Sequence, residues 1–277
     1  MNVNDPRTTP ARPDLAADHL KGQVQAASFV EGRKMTIARG RAALRHAPNQ
    51  DSLQDDELLF GEAFTVYQSK DGWAWGQSDV DGYVGYVHTI VCGDPILPTH
   101  RVTAPATPLM TGPDIKHATR DLLPLNARVK ILERAKGFVR IAPEGFVYAA
   151  HLAPLDRVAA DWVATAERFA GAPYVWGGKT FAGIDCSGLV QTALASADIA
   201  SPRDTDQQEN ALGADVPFLK RRRGDLVFWN GHVGIMLDEA RLIHANSFHM
   251  QVVIEPLDDA IARITPVSGP VTAVKRL

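Results

Sequence analysis

One cysteine and two histidines could do chemistry together in this chain. Cys186 lies in Gly183-Ile184-Asp185-Cys186-Ser187-Gly188-Leu189-Val190, and His232 and His244 follow it within apolar, strand-like runs. The thiolate is the nucleophilic form of cysteine, and an adjacent imidazole is a base able to generate it. Asp185 is a preferred N-cap type, so Cys186 is expected to open a helix. That helix is predicted over 187–197, with Leu189, Val190, Ala193, Leu194 and Ala197 on one face. The partial positive charge of a helix N-terminus favours thiolate over thiol. A lone cysteine is more often an inert core residue. Here the polar, glycine-bearing Asp-Cys-Ser-Gly setting is unlike a core position.

The two histidines must be brought to it by a sheet. Asn230-Gly231 is a two-residue turn signal, so His232 begins the return strand of a hairpin. His244 lies on the next strand, past a turn near Asp238-Glu239. Positions 232 and 244 are equidistant from 238, and pairing centred there sets the histidines opposite each other on one face. A one-residue slip would separate them onto two faces. In the favoured register His232 takes the Cys186 proton as base and returns it as acid, and His244 orients the His232 ring. The Cys186 backbone N–H can meet a developing oxyanion. A Cys/His/His set can also bind zinc, but no CxxC or HExxH spacing is present. No metal or cofactor is expected.

The elements that position these residues change character along the chain. Residues 1–30 are rich in Pro and Asp and read as an extended arm. Residues 31–98 alternate short apolar runs with turn signals, among them Asp71-Gly72 and Asp81-Gly82, and predict a small β-barrel. Residues 99–157 repeat the order of those runs more weakly, a second barrel. From 158 to 277 helical spacing (Trp162, Ala166, Phe169, Ala170) gives way to strand-like runs, with helices first and antiparallel strands after. The fold class is therefore α+β.

With 45 % hydrophobic and 22 % charged residues the composition is that of a folded globular protein. The formal net charge of −3 offers no global basic field for nucleic acid or an anionic membrane. The run Lys220-Arg221-Arg222-Arg223 reads as a solvated turn. No apolar stretch is long enough to span a bilayer. The first twenty residues contain three prolines and no apolar core, unlike a secretory signal. Cys92 and Cys186 make no disulfide framework. A reducing, cytoplasmic location is the expectation.

Five segments, in order, resemble an NlpC/P60 cysteine peptidase domain over about residues 160–260. They are Pro173-Tyr174-Val175-Trp176-Gly177-Gly178, Asp185-Cys186-Ser187-Gly188-Leu189-Val190, Pro202-Arg203-Asp204, Arg223-Gly224-Asp225-Leu226-Val227-Phe228-Trp229 and His232-Val233-Gly234-Ile235. The upstream barrels resemble bacterial SH3 domains, and the layout is similar to γ-D-glutamyl-L-diamino acid endopeptidases that trim cell-wall peptides. The resemblance implies a papain-like core with Cys186 as nucleophile, His232 as base and His244 as third member. It implies that Tyr174 lines the site near the oxyanion and that Asp185 and Ser187 hold the substrate backbone. It also implies that Asp204 binds the free amine of an N-terminal L-Ala. A helix cap is the plainer reading of Asp204. In such relatives the first barrel closes the pocket with an acidic residue and an aromatic; Glu57 and Tyr83 or Tyr86 are the matching candidates. Trp73 and Trp75 read as barrel core. The expected partner is a murein peptide, L-Ala-γ-D-Glu-diamino acid, met during recycling. An exported hydrolase of intact wall and a non-catalytic wall-binding module are the alternatives.

Overall fold

Asp71-Gly72 makes a tight turn between strands Ala63–Lys70 and Trp73–Ser78, with φ of 51° and 81°. Positive φ at both positions matches the right-handed twist of the strands it joins. Lys136-Gly137 repeats the device between Ile131–Ala135 and Phe138–Ile141, with φ of 48° and 84°. A computed structural model describes residues 5–277, and a sheet surrounds each of these turns. The first has seven antiparallel strands, in the order Gln54–Leu59, Arg41–Arg45, Val84–His88, Trp73–Ser78, Ala63–Lys70, Arg33–Ile37, Cys92–Gly93. The second has five, in the order Thr119–Pro124, Ala106–Met110, Phe146–Tyr148, Phe138–Ile141, Ile131–Ala135. A small three-stranded sheet accompanies it: Arg128–Val129, His100–Val102, Leu152–Pro154. The five-strand order of the second block repeats that of the first.

Each block has its own apolar centre. Ile37, Leu44, Leu58, Phe64 and Val87 fill the first, and Val102, Leu123, Val129, Ile141 and Val147 the second. Phe60 belongs to the first block by sequence yet is buried in the core of the second. Arg128 N–H donates to the Phe60 carbonyl at 2.8 Å, and Gly40 N–H to the Asp121 carboxylate at 2.7 Å. With these ties the chain up to Asp156 packs as one unit. The described part of the arm is held too. The Arg12 guanidinium lies 4.2 Å from the Trp75 ring centroid and donates to Tyr86 Oη at 2.8 Å and Gln68 Oε1 at 2.7 Å.

The second unit runs from Arg157 to Leu277. Its helices are α1 (Trp162–Glu167), α2 (Cys186–Ser196), α3 (Thr205–Ala211) and α4 (Leu257–Ser268). Its six-stranded antiparallel sheet has the order Ala214–Asp215, Ala273–Arg276, Leu226–Trp229, His232–Met236, Arg241–Asn246, Gln251–Pro256. Helices do not all precede strands: α4 and the strand Ala273–Arg276 follow them. Leu257 and Ala260 of α4 pack on Val227, Trp229, Met236, Leu242 and Val274. Helix α2 was expected to show one apolar face, but ten of its eleven residues are buried. Two of its hydroxyls are satisfied internally, Thr192 Oγ1 by the Lys179 carbonyl at 3.0 Å and Ser196 Oγ by the Ala193 carbonyl at 2.6 Å. Among the described residues no helix is long and apolar enough to cross a membrane.

Candidate active site

Cys186 is the first residue of α2, and Asp185 caps it by accepting from Gly188 N–H at 2.7 Å. The same carboxylate accepts from Gly177 N–H at 2.7 Å and forms a two-pronged pair with Arg203, at 3.0 and 2.7 Å. Arg203 is 1 % exposed and also reaches Ser187 Oγ at 2.9 Å. A buried carboxylate with this many donors is committed to the protein. The side chains of Asp185 and Ser187 therefore brace the start of α2. Close packing completes the brace. A Cβ at Gly188 would lie 2.2 Å from the Gly178 carbonyl oxygen, so only glycine lets the Gly177-Gly178 loop approach the helix. The Cys186 sulfur is 3.8 Å from Thr205 Oγ1, the first residue of α3.

On the sheet, Ile235 pairs with Ile243 and Met236 with Leu242. This pairing is centred on 239, one residue beyond the expected 238. The shift moves each partner by two positions, so both histidines stay on one face as diagonal neighbours rather than opposite one another. The residue facing His244 in this register is Gly234. A Cβ there would come within 2.5 Å of Leu242 Cδ1 and 3.5 Å of His244 Cβ. Its absence leaves room for the two imidazoles to meet, His232 Nε2 to His244 Nδ1 at 2.7 Å. His244, 0 % exposed, continues through Nε2 to Glu255 Oε1 at 2.6 Å. Glu255 in turn is gripped by Arg263 of α4, at 2.9 and 2.5 Å. With Nε2 of His232 taken, Nδ1 is the ring nitrogen left to act as a base. The main chain next to His232 meets the thiol: Val233 N–H and Ser187 N–H both point to the Cys186 sulfur.

Burial pushes the Cys186 thiol up to about 11, and the Asp185 charge adds to it; Thr205 and the two N–H groups act against this. Burial also holds His232 down, to about 3, with His244 and Arg263 in the same sense and Glu255 against. Desolvation thus opposes the pull of the helix N-terminus toward thiolate. Each charge is disfavoured alone. Moving one proton from Sγ to His232 creates both together, and their attraction offsets the desolvation of each.

Tyr174 is half-buried, and burial, then the nearby Cys186 and Asp185, hold its phenol above its ordinary value. Asp204 is the N-cap of α3 in a reciprocal capping box with Gln207, beside the Thr205 that touches the sulfur. A capping carboxylate has lone pairs to spare, so the cap does not preclude an amine ligand. Glu57, Tyr83 and Tyr86 lie in the other unit, with partners there. Glu57 is 2 % exposed and paired with Arg41 at 3.0 Å. Tyr83 packs in the core of the first sheet. Tyr86 is bound by Arg12. Four residues of the site escaped sequence reasoning: Arg203, Thr205, Glu255 and Arg263. Among the described residues no group of three or more His, Cys, Asp or Glu is placed to hold a metal ion.

Residues 171–265 match the NlpC/P60 family. An NlpC/P60 cysteine peptidase domain therefore carries this site. Residues 44–89 match the Sh3 domain of bacterial dipeptidyl-peptidases, so a bacterial SH3 domain precedes the NlpC/P60 domain. The chain is 25 % identical over 236 residues to a γ-D-glutamyl-L-lysine dipeptidyl-peptidase of Bacillus subtilis, covering 76 % of this chain and 78 % of that one. It is 28 % identical over 244 residues to the protein of that name from Bacillus cereus, covering 76 % and 72 %. The crystal structure of an NlpC/P60 family protein from Bacillus cereus superposes with a TM-score of 0.74 at 22 % identity, over 88 % of this chain and 99 % of that one. That likeness establishes the papain-like fold of the family.

Proposed function

We propose that the protein hydrolyses the bond between γ-D-glutamate and the following diamino acid, meso-diaminopimelate or L-Lys, in murein peptides. The observation that carries this reading is Cys186 braced at the start of α2 beside the His232–His244 pair, in a chain akin over three-quarters of its length to two γ-D-glutamyl-L-lysine dipeptidyl-peptidases. Sγ attacks the γ-carbonyl carbon as its proton passes to His232 Nδ1. The oxyanion meets the Cys186 backbone N–H at the start of α2, which has no acceptor within the helix. Collapse breaks the C–N bond, and His232 returns the proton to the departing amine. Water, deprotonated by His232, then cleaves the thioester, frees the L-Ala-D-Glu carboxylate and restores the thiol. Tyr174 stands beside this chemistry as a neutral donor. Asp204 takes the ammonium of an unblocked L-Ala, a charge-assisted pairing next to the reacting thiol.

On this reading the substrate is a released peptide, and the protein acts in cytoplasmic recycling. The test is hydrolysis of L-Ala-γ-D-Glu-meso-diaminopimelate and its L-Lys analogue, beside N-acetylated forms and intact peptidoglycan, with products read by mass spectrometry. Cleavage of the free peptides alone is expected. Equal cleavage of blocked peptide or wall would defeat the amine assignment and the recycling role. Cys186→Ala is expected to lose ~10⁴-fold or more of the activity with its fold intact; retained turnover would defeat the mechanism.

A further inference from the structure

The relay does not end at the second histidine. Glu255 stands on strand Gln251–Pro256, where His244 pairs with Val253. Position 255 is two residues on, hence the same face and a diagonal neighbour of His244. Its carboxylate is bound by His244 and by both terminal nitrogens of Arg263. Arg263 is itself covered by the Phe248 ring, 4.7 Å from its guanidinium carbon.

A carboxylate held by a guanidinium accepts hydrogen bonds and donates none. His244 Nε2, 2.6 Å from it, must therefore bear a proton. A neutral His244 then has a bare Nδ1, and the bond of 2.7 Å to His232 requires His232 Nε2 to donate. His232 is left with its lone pair on Nδ1. The amide of Asn246 competes for the same nitrogen: its Oδ1 accepts from His249 N–H at 2.9 Å, so its Nδ2, a donor, lies 3.0 Å from His244 Nε2. The closer anionic oxygen of Glu255, at 2.6 Å, decides the proton, since two lone pairs at that distance would repel. One carboxylate thus dictates the proton position on two rings.

We propose that Glu255, clamped by Arg263, is a positioning residue that sets the tautomer of His244 and, through it, directs the basic lone pair of His232 toward Cys186. This rests on the peptidase reading above, and two measurements separate their failures. The first is long-range proton–nitrogen NMR of the full chain with labelled histidines, which tells bare from protonated ring nitrogens. Protonated Nε2 on both His232 and His244 is expected; a proton on Nδ1 of either ring would overturn the proposal, whatever the activity. The second is the kinetics of Glu255→Gln and Glu255→Asp on the tripeptide.

Glu255→Gln should lower kcat roughly 10- to 100-fold with KM nearly unchanged, less than the ~10⁴-fold that a wrong tautomer costs where the orienting residue touches the base directly. The charges facing the relay are Glu255, Arg263 and His249; Glu255 raises both rings, while Arg263 lowers them and His249 lowers His244. Removing the Glu255 charge should therefore move the acid limb of the kcat/KM profile to lower pH. Glu255→Asp, which keeps the charge, should leave that limb in place and recover part of the rate. Unchanged kcat and acid limb in a folded Glu255→Gln would refute the role. Inactive wild-type protein would instead sink the peptidase reading, with the nitrogen spectra still deciding the relay.

Discussion

The two sides of the candidate site use similar parts for different ends. On the cysteine side, Asp185 and Arg203 form a buried, two-pronged pair whose remaining bonds go to Gly177, Gly188 and Ser187. On the histidine side, Glu255 and Arg263 form another two-pronged pair, but one carboxylate oxygen also reaches an imidazole. The first network contains no imidazole, so it can fix a position and nothing more. The second contains two rings with two nitrogens each, so it can fix a position and also a proton. Position alone serves a nucleophile, whereas a base needs its lone pair aimed as well.

The sharpest way to break the contrast is to remove one member from each side. His244→Asn should lower kcat by roughly 10³- to 10⁴-fold, since it takes away the group that orients the base. Denaturant unfolding of the same variant should show less than about 2 kcal/mol of lost stability. Arg203→Met should do the opposite. It strands the Asp185 charge in the interior and should cost about 3–5 kcal/mol of folding stability. A stable Arg203→Met protein that has lost only its activity would mean that both networks act on chemistry.

Acid should separate the sides further. His232 and His244 are both held below the ordinary imidazole value, chiefly by burial, His232 to about 3. For a depressed group the folded state gains relative to the unfolded one above the unfolded pKa of ~6.5. That contribution fades as pH falls from ~6.5 toward 3, while the unfolded chain takes up protons that the folded one refuses. Glu255, held at about 2 against burial by His244 and Arg263, adds a loss at lower pH still, below its ordinary value of 4.5. Denaturant unfolding at pH 7, 6 and 5 should therefore show wild-type stability falling, and falling less in His232→Phe. Parallel slopes would mean that His232 is protonated alike in both states.

Much of this was legible before any coordinates. The Asp185 cap, the hairpin at Asn230-Gly231 and the sharing of one face by His232 and His244 follow from local rules of spacing. The register escaped because its centre depends on how the Asp238–Ala240 turn is built, and a shift of one in the centre preserves the face. Glu255 escaped for the same reason, since its diagonal to His244 exists only once the third pairing of the sheet is known. Helix α4 was hidden by Pro256 at its N-cap and Pro266 near its end, although Leu257, Ala260, Ile261 and Ile264 have helical spacing. The upward push of burial on the thiol escaped because burial is a property of the whole fold. Phe60 makes the same point elsewhere: the sequence places it in one barrel, and packing buries it in the other.

The smallest expected effect tests how far outward the histidine side extends. Phe248 is 70 % exposed, yet it lies over the guanidinium that grips Glu255 and meets the His249 ring edge-to-face, with centroids 4.9 Å apart. An exposed cation–π contact contributes about 0.5–1 kcal/mol. Phe248→Leu keeps an apolar cover but loses the ring. It should lower stability within that range and leave the histidine tautomers unchanged, because Arg263 keeps both bonds to Glu255. A fall in kcat as large as that of Glu255→Gln would mean that the ring, not the carboxylate, holds Arg263 in place. The boundary of the relay would then lie at the protein surface, with no counterpart on the cysteine side, where Arg203 is enclosed.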